Sequence, residues 1–293
     1  MRTYLRVLSA AVLVLAFSGC ASMDLSVGNV VALGQGVQNV QTAEQTEFTD
    51  EQEYYIGRAV AANILSTRKV YDDRKATDYL NVLERALAIY SDRPDTFGGY
   101  HVLIMDSDEI NAFSAPGGLI LVSRGLLRCA TSEDSVAAIL AHETSHVVLK
   151  HGLNAIKQAR KTAAYTQLGI AAANTAGGSN VQQLTDIFKD SISDVTNTLV
   201  NNGYSRDLEF QADQMALKIM RNAGYDPSAF TAMLQVMKTK LKPGGLDFAK
   251  THPDPKDRIQ KVNETLAGQP AVVTPPQAQA ARQARYQAAL GNI

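Results

Sequence analysis

Residues 138–152 read AILAHETSHVVLKHG. His142 and His146 stand four apart, and Glu143 follows the first directly. On a helix, positions i and i+4 lie one turn apart on one face, so both imidazoles can bind one Zn²⁺ at about 2.0–2.1 Å. Glu143 is turned one residue away, beside the ligand face, where it can take a proton from water that the metal has acidified. Small and apolar neighbours supply a dry wall, which strengthens the metal's polarisation of water and of a substrate carbonyl. Without such a purpose, two histidines and a glutamate in this setting would be costly to bury.

Zinc needs a third protein ligand. In the arrangement H-E-x-x-H-x-x-G-x-x-H, the last Gly and His would fall on Leu149 and Gly152, so that arrangement is excluded. His151 lies about 140° round a continuous helix from His146, too far to share its metal, and reads as a polar surface residue or a group behind the ligands. Glu209, in LEFQADQMALKIM, is the better third ligand. Asp213 follows it by one turn and can hold a ligand imidazole through its free ring N–H.

These groups need helices to hold them. TSEDSVAAILAHETSHVVLKHG predicts a helix from about Ser132, with acidic residues in its first turn where the helix dipole favours them. YSRDLEFQADQMALKIMRNAG predicts a second, closed by Gly224, and Pro227 starts another. Upstream, Thr49 and Gln52 have capping-box spacing at the head of FTDEQEYYIGRAVAANIL, and ATDYLNVLERALAIY is a further helix. SNVQQLTDIFKDSISDVTNTLV is amphipathic at helical spacing. The only β signal is YHVLIMD and GLILVS, separated by SDEINAFSAPG.

The 293 residues are 45% hydrophobic and 19% charged, with net charge −1, which suits one globular domain of about 200–250 residues plus terminal segments. Near-neutral charge argues against a nucleic-acid partner. Arg2 and Arg6 precede an apolar run, Val7 to Phe17, too short to span a bilayer but suited to a signal peptide. AFSGC then resembles a bacterial lipobox, which implies lipid on Cys20; Ala21 in place of a retention Asp implies the outer membrane of a Gram-negative cell. The expected division is a signal peptide over 1–19, a lipidated tether over 20–46, the domain over 47–267 and a mobile tail over 268–293. Cys129 is expected as a buried structural thiol.

HETSH, EFQAD, NAFSAPGG and THPDPKDRI, in this order, resemble the HtpX-like and BepA-like zinc metallopeptidases, family forty-eight of the metallopeptidases, which also contains the CAAX prenyl proteases. The resemblance covers roughly Phe48 to Ala267. It implies an α+β, mainly α, gluzincin fold with a small sheet, one zinc per chain and endopeptidase activity. His142, His146 and Glu209 carry over as zinc ligands, Glu143 as general base and Asp213 as the group behind a ligand. Thr144 and Ser145 stand where the family often has an apolar residue and then Gly or Ala, and both are small enough to fit. The long hydrophobic spans of membrane-embedded members are absent, which points to the periplasmic, lipid-anchored relatives.

The resemblance also places Asn111, Ala112, Phe113 and Ser114 on an edge strand near the metal, where an extended peptide can add as a further strand. Composition alone fits a hairpin loop with Pro116, Gly117 and Gly118 equally well. In BepA-like members a histidine before a short helix approaches the metal and restrains activity, and an arginine six residues later lies near the site. His252 and Arg258 have that spacing, though the residues alone fit ordinary surface contacts too. Two functions follow as expectations: a zinc endopeptidase acting on misfolded or stalled envelope proteins, or a chaperone or adaptor assisting outer-membrane assembly machinery. Glu143 speaks against a pure adaptor, because a non-catalytic zinc site needs no carboxylate beside its water.

Overall fold

The computed structural model describes residues 34–41, 47–174, 196, 199–200, 203–240, 252 and 255–293. The expected signal peptide, and nearly all of the amphipathic segment 179–200, lie outside the described residues. The chain divides into two compact units, one of residues 1–46 and 160–188, the other of 47–159 and 189–293. In the first, the described residues 34–41 and 160–174 are helical. The second carries every residue of the candidate site described below.

α1 (Asp50–Leu65) opens with the capping box its spacing predicts: Thr49 Oγ1 accepts from the Gln52 N–H at 3.2 Å, and Gln52 Oε1 accepts from the Thr49 N–H at 3.0 Å. Glu53 in its first turn is buried, accepts two bonds from Arg93 at 2.8 and 2.9 Å, and takes the Gly117 N–H at 3.0 Å. α1 therefore grips the turn after β2. The approach is close enough that a Cβ on Gly57 would lie 1.7 Å from the Pro116 carbonyl oxygen, so only glycine fits there. α2 (Arg74–Ile89) follows, capped by Asp73.

β1 (His101–Met105), β2 (Ala112–Ala115) and β3 (Leu119–Ser123) form one sheet in the order β1-β3-β2, with β3 parallel to β1 and antiparallel to β2. The two apolar runs of the sequence are β1 and β3, and the stretch between them supplies the third strand. Alternation along the strands sorts side chains to two cores. Val102, Ile104, Ala112, Ile120 and Val122 face the larger one, while Met105, Phe113, Ala115 and Leu121 face the smaller one with α1.

A short α3 (Arg124–Leu127) leads to α4 (Glu133–Val148), whose Ser132 N-cap accepts from the Ser135 N–H at 3.2 Å. Every residue from Ser135 to Val147 is buried, so α4 is the spine of the domain. α5 (His151–Asn174) follows after a two-residue break. α6 (Arg206–Asn222) starts at the Ser205 cap and ends as expected at Gly224, with φ +77°. The Gly224 N–H reaches the Arg221 carbonyl at 3.0 Å and the Tyr225 N–H reaches that of Met220 at 2.8 Å, the Schellman pattern. α7 (Ser228–Lys240) and α8 (Pro255–Leu266) complete the packing around α4 and α6. Cys129 is buried, as expected.

The tail corrects the sequence reading. Residues 276–290 form α9 (Pro276–Leu290), and Tyr286 and Leu290 belong to the larger core. Their i, i+4 spacing gives the helix one apolar stripe, and charge finishes the docking. Arg285 donates to the buried Glu133 carboxylate at 2.6 and 3.0 Å, Arg282 to Asp134 at 3.1 Å, and the Tyr286 hydroxyl to the Ala130 carbonyl at 2.8 Å. The first turn of α4 is thus held from the C-terminus. Substituting Tyr286 and Leu290 by Ala should each cost about 2–5 kcal/mol as buried side chains are lost. Urea unfolding of the pair checks this; an unchanged midpoint would restore the mobile tail.

Candidate metal centre

His142 and His146 project from α4 with their Nε2 atoms 3.2 Å apart. Glu209, on the first turn of α6, faces them: Oε2 lies 3.5 Å from His142 Nε2, and Oε1 lies 3.4 Å from His146 Nε2. His252 closes the group, with Nδ1 2.8 Å from Glu209 Oε2. One ligand atom from each of the four lies within 4.8 Å of the others, and all four residues are buried.

The groups behind these side chains decide which nitrogen points where. Asp213 Oδ1 lies 2.9 Å from His142 Nδ1, as the i, i+4 spacing with Glu209 predicts. Arg258 holds that carboxylate in a fork, Nε to Oδ2 at 2.9 Å and Nη2 to Oδ1 at 2.6 Å, with its guanidinium over the Phe230 ring. With Asp213 accepting from the Nδ1–H, His142 would present its Nε2 to a bound metal. His146 is backed differently: its Nδ1 is 2.9 Å from Nδ1 of His151, and the Tyr204 ring stacks on it at 4.4 Å and 16°.

These residues fit a divalent cation on two counts. Glu209 Oε1 is buried and makes no hydrogen bond to a described residue, an orphan that a metal bond would satisfy. Three buried carboxylates (Glu143, Glu209 and Asp213) meet one buried guanidinium, Arg258, an excess of negative charge that a cation would offset. The electrostatics agree. Burial would raise the Glu209 carboxyl, but His252, His142 and His146 hold it well below the usual carboxylate range. Burial keeps His146 neutral, well below the ordinary imidazole value. Burial and Arg258 lower His142, yet the Asp213 and Glu209 carboxylates outweigh them and hold it at about 9. A metal held by His142 would take the place of that proton.

Glu143 lies beside the group, as its position on α4 requires. It shares a space of about 10 Å³, room for roughly one water, with Leu126, Ile139, His142, Met233, Met237 and Arg258. Asn111 immediately precedes the second strand. Ala112–Ser114 lie on β2, which among the described residues pairs along one side, with β3. The Ser123 N–H bond to the Asn111 carbonyl, at 3.0 Å, fixes the alternation, so Ala112 and Ser114 turn their backbone groups away from β3. The Asn111 side chain takes the Ala112 N–H at 2.9 Å.

Sequence reasoning did not anticipate three features. The first is the break at Lys150, which decides between the two readings of His151: it lies buried beside His146 and not at the surface. Tyr204 stacks on His146 from just before α6. Glu84 of α2 is fully buried against α4, where it accepts from the Thr144 hydroxyl at 2.6 Å. A signal for Glu84 did exist: it lies one turn from Leu80 and three residues from Leu87, on the apolar stripe of its helix.

A buried H-E-x-x-H helix faced by a glutamate from a second helix, in a mainly helical domain with a small sheet, defines a metallopeptidase of the gluzincin kind. The chain belongs to the family described as Peptidase family M48, which matches residues 74–266. It is 32% identical over 209 residues to the mitochondrial metalloendopeptidase OMA1 of Schizosaccharomyces pombe, covering 67% of this chain and 56% of that protein. It is 23% identical over 210 residues to the beta-barrel assembly-enhancing protease of Escherichia coli, covering 71% and 42%. The protein of that name from Yersinia pestis is 22% identical over 223 residues, covering 75% and 45%. The chain thus spans about half the length of these curated relatives.

Glu84 generates a prediction about pH. Burial, with Glu143 adding to it and the Thr144 bond opposing, raises its carboxyl to about 8. The unfolded chain loses that proton near pH 4.5 while the folded one keeps it, so stability falls as pH rises from about 4.5 to about 8. Glu84→Gln should remove this loss. The difference in unfolding free energy between variant and wild type should widen across that window; parallel curves would mean Glu84 does not titrate so.

Proposed function

We propose that the chain is a zinc-dependent endopeptidase that hydrolyses unfolded or misfolded proteins of the cell envelope. The observation that carries this is Glu143, a buried carboxylate beside a ready metal-binding group, with space for one water next to it. When bound, the metal supplies acidification of water and polarisation of the scissile carbonyl. Glu143 takes the proton of the attacking water and returns it to the departing amine nitrogen. Arg258, through Asp213, keeps His142 in the orientation a ligand needs. Substrate binds extended along β2, where Ser114 offers its backbone groups on the open edge and its hydroxyl is buried without a hydrogen bond to a described residue.

His252 is proposed as a restraint. Its contact with Glu209, inside the metal-binding group, supports this reading, in which the resting enzyme is held back until His252 withdraws. A lipid on Cys20 is proposed to hold the chain at the outer membrane, its domain in the periplasm. There it would work beside outer-membrane assembly, a setting suggested by the name of the Escherichia coli relative.

Casein digestion by the metal-loaded chain, with and without chelator, tests the activity. Glu143→Gln should cut cleavage by about 10²–10⁴-fold with metal content unchanged, and His252→Ala should raise basal cleavage. Full activity in Glu143→Gln would remove the assigned base, and basal activity equal to wild type in His252→Ala would remove the restraint. For the anchor, Cys20→Ala should leave a longer precursor that partitions away from the outer membrane. Unchanged size and partition would refute it.

A further inference from the structure

Lys150 is the one non-glycine residue with a positive φ, +55°, among the described residues. Lysine gains nothing from that conformation, which glycine adopts freely at the end of a helix. The strained turn has a local effect. α4 ends at Val148, the chain reverses through Leu149 and Lys150, and α5 begins at once with His151. The His151 ring is thereby buried at 2% exposure, with its Nδ1 2.9 Å from Nδ1 of His146. Strain kept at one residue beside a metal-binding group calls for a role for what it delivers.

Two imidazole nitrogens at that separation share one proton: one donates and the other accepts. Glu209 and His142 face His146 on its Nε2 side, so the lone pair a metal needs is at Nε2 and the His146 proton is at Nδ1. His151 must then accept at Nδ1 and carry its own proton on Nε2. The face of His146 is fixed independently by the stacked Tyr204 ring. A ligand histidine usually gives its second N–H to a carboxylate, a backbone carbonyl or water, and here a neutral imidazole takes that place.

We propose that His151 is a positioning residue for the metal site, accepting the Nδ1–H of His146 and holding that ligand in the tautomer and orientation that metal binding requires. The proposal rests on His146 being a metal ligand, so the experiment separates the two. Zinc affinity is measured on the full chain by competition with a chromophoric chelator. His146→Ala must lose zinc if the ligand reading stands. His151→Asn, whose Oδ1 can stand where Nδ1 stood, should bind zinc close to wild type. His151→Leu, with no acceptor, should bind about 10–100-fold more weakly. Loss in His146→Ala with wild-type affinity in a folded His151→Leu overturns the positioning role alone, and so does an equal loss in the Asn and Leu variants.

A measurement on unmutated protein serves if the Leu variant does not fold. ¹⁵N spectra of histidine-labelled, zinc-loaded chain should show His151 protonated at Nε2 and bare at Nδ1. A proton on His151 Nδ1 overturns the proposal.

Discussion

Charge buried in the middle of a helical domain is the constraint on which the rest of this structure depends. Glu143, Glu209 and Asp213 lie within a few per cent of full burial. Such groups persist only when each is paired, hydrogen-bonded or bound to a cation. Arg258 answers for Asp213, Asp213 for His142, and the inward-facing nitrogens with Glu209 leave a place for a metal. The helices pack as they do around this chain of obligations. α4 must be buried on all sides to keep water away from it, and α6 must present its first turn, where a carboxylate is also favoured by the helix dipole.

The sheet serves the same end from the other side. It is only three strands wide, yet both of its faces are covered, because the pleat divides its side chains between two cores. Glu53 and the bare backbone of Gly57 draw α1 onto the turn between β2 and β3, so the edge strand is held rigidly. An edge strand held by a rigid element is positioned more accurately than a loop.

Much of this was legible in the sequence, because the chemistry is local. The H-E-x-x-H spacing, the Glu209–Asp213 turn, the Thr49 and Ser132 caps and Gly224 each depend on residues within one or two turns of one another. The features that escaped depend on contacts distant in sequence or on a backbone choice that residue type does not advertise. Nothing about a lysine signals a left-handed turn, so the break before His151 could not be read. Tyr286 and Leu290 are sparse apolar residues in an Ala- and Gln-rich segment, and they gain meaning only when Arg285 meets Glu133, 152 residues earlier. Whether Asn111 to Ser114 made a strand or a loop was open from composition; pairing with β3 makes Ala112 to Ser114 strand and leaves Asn111 just before it.

The Asn111 side chain has a consequence for how the molecule lives among copies of itself. A strand with one free side is an invitation to its own kind, the seed from which sheets grow between molecules. β2 is only four residues long, and one of its outward N–H groups is already stoppered by the neighbouring amide oxygen. What remains open is too brief to template a stack. The strand can greet a visiting chain while declining a self-propagating one.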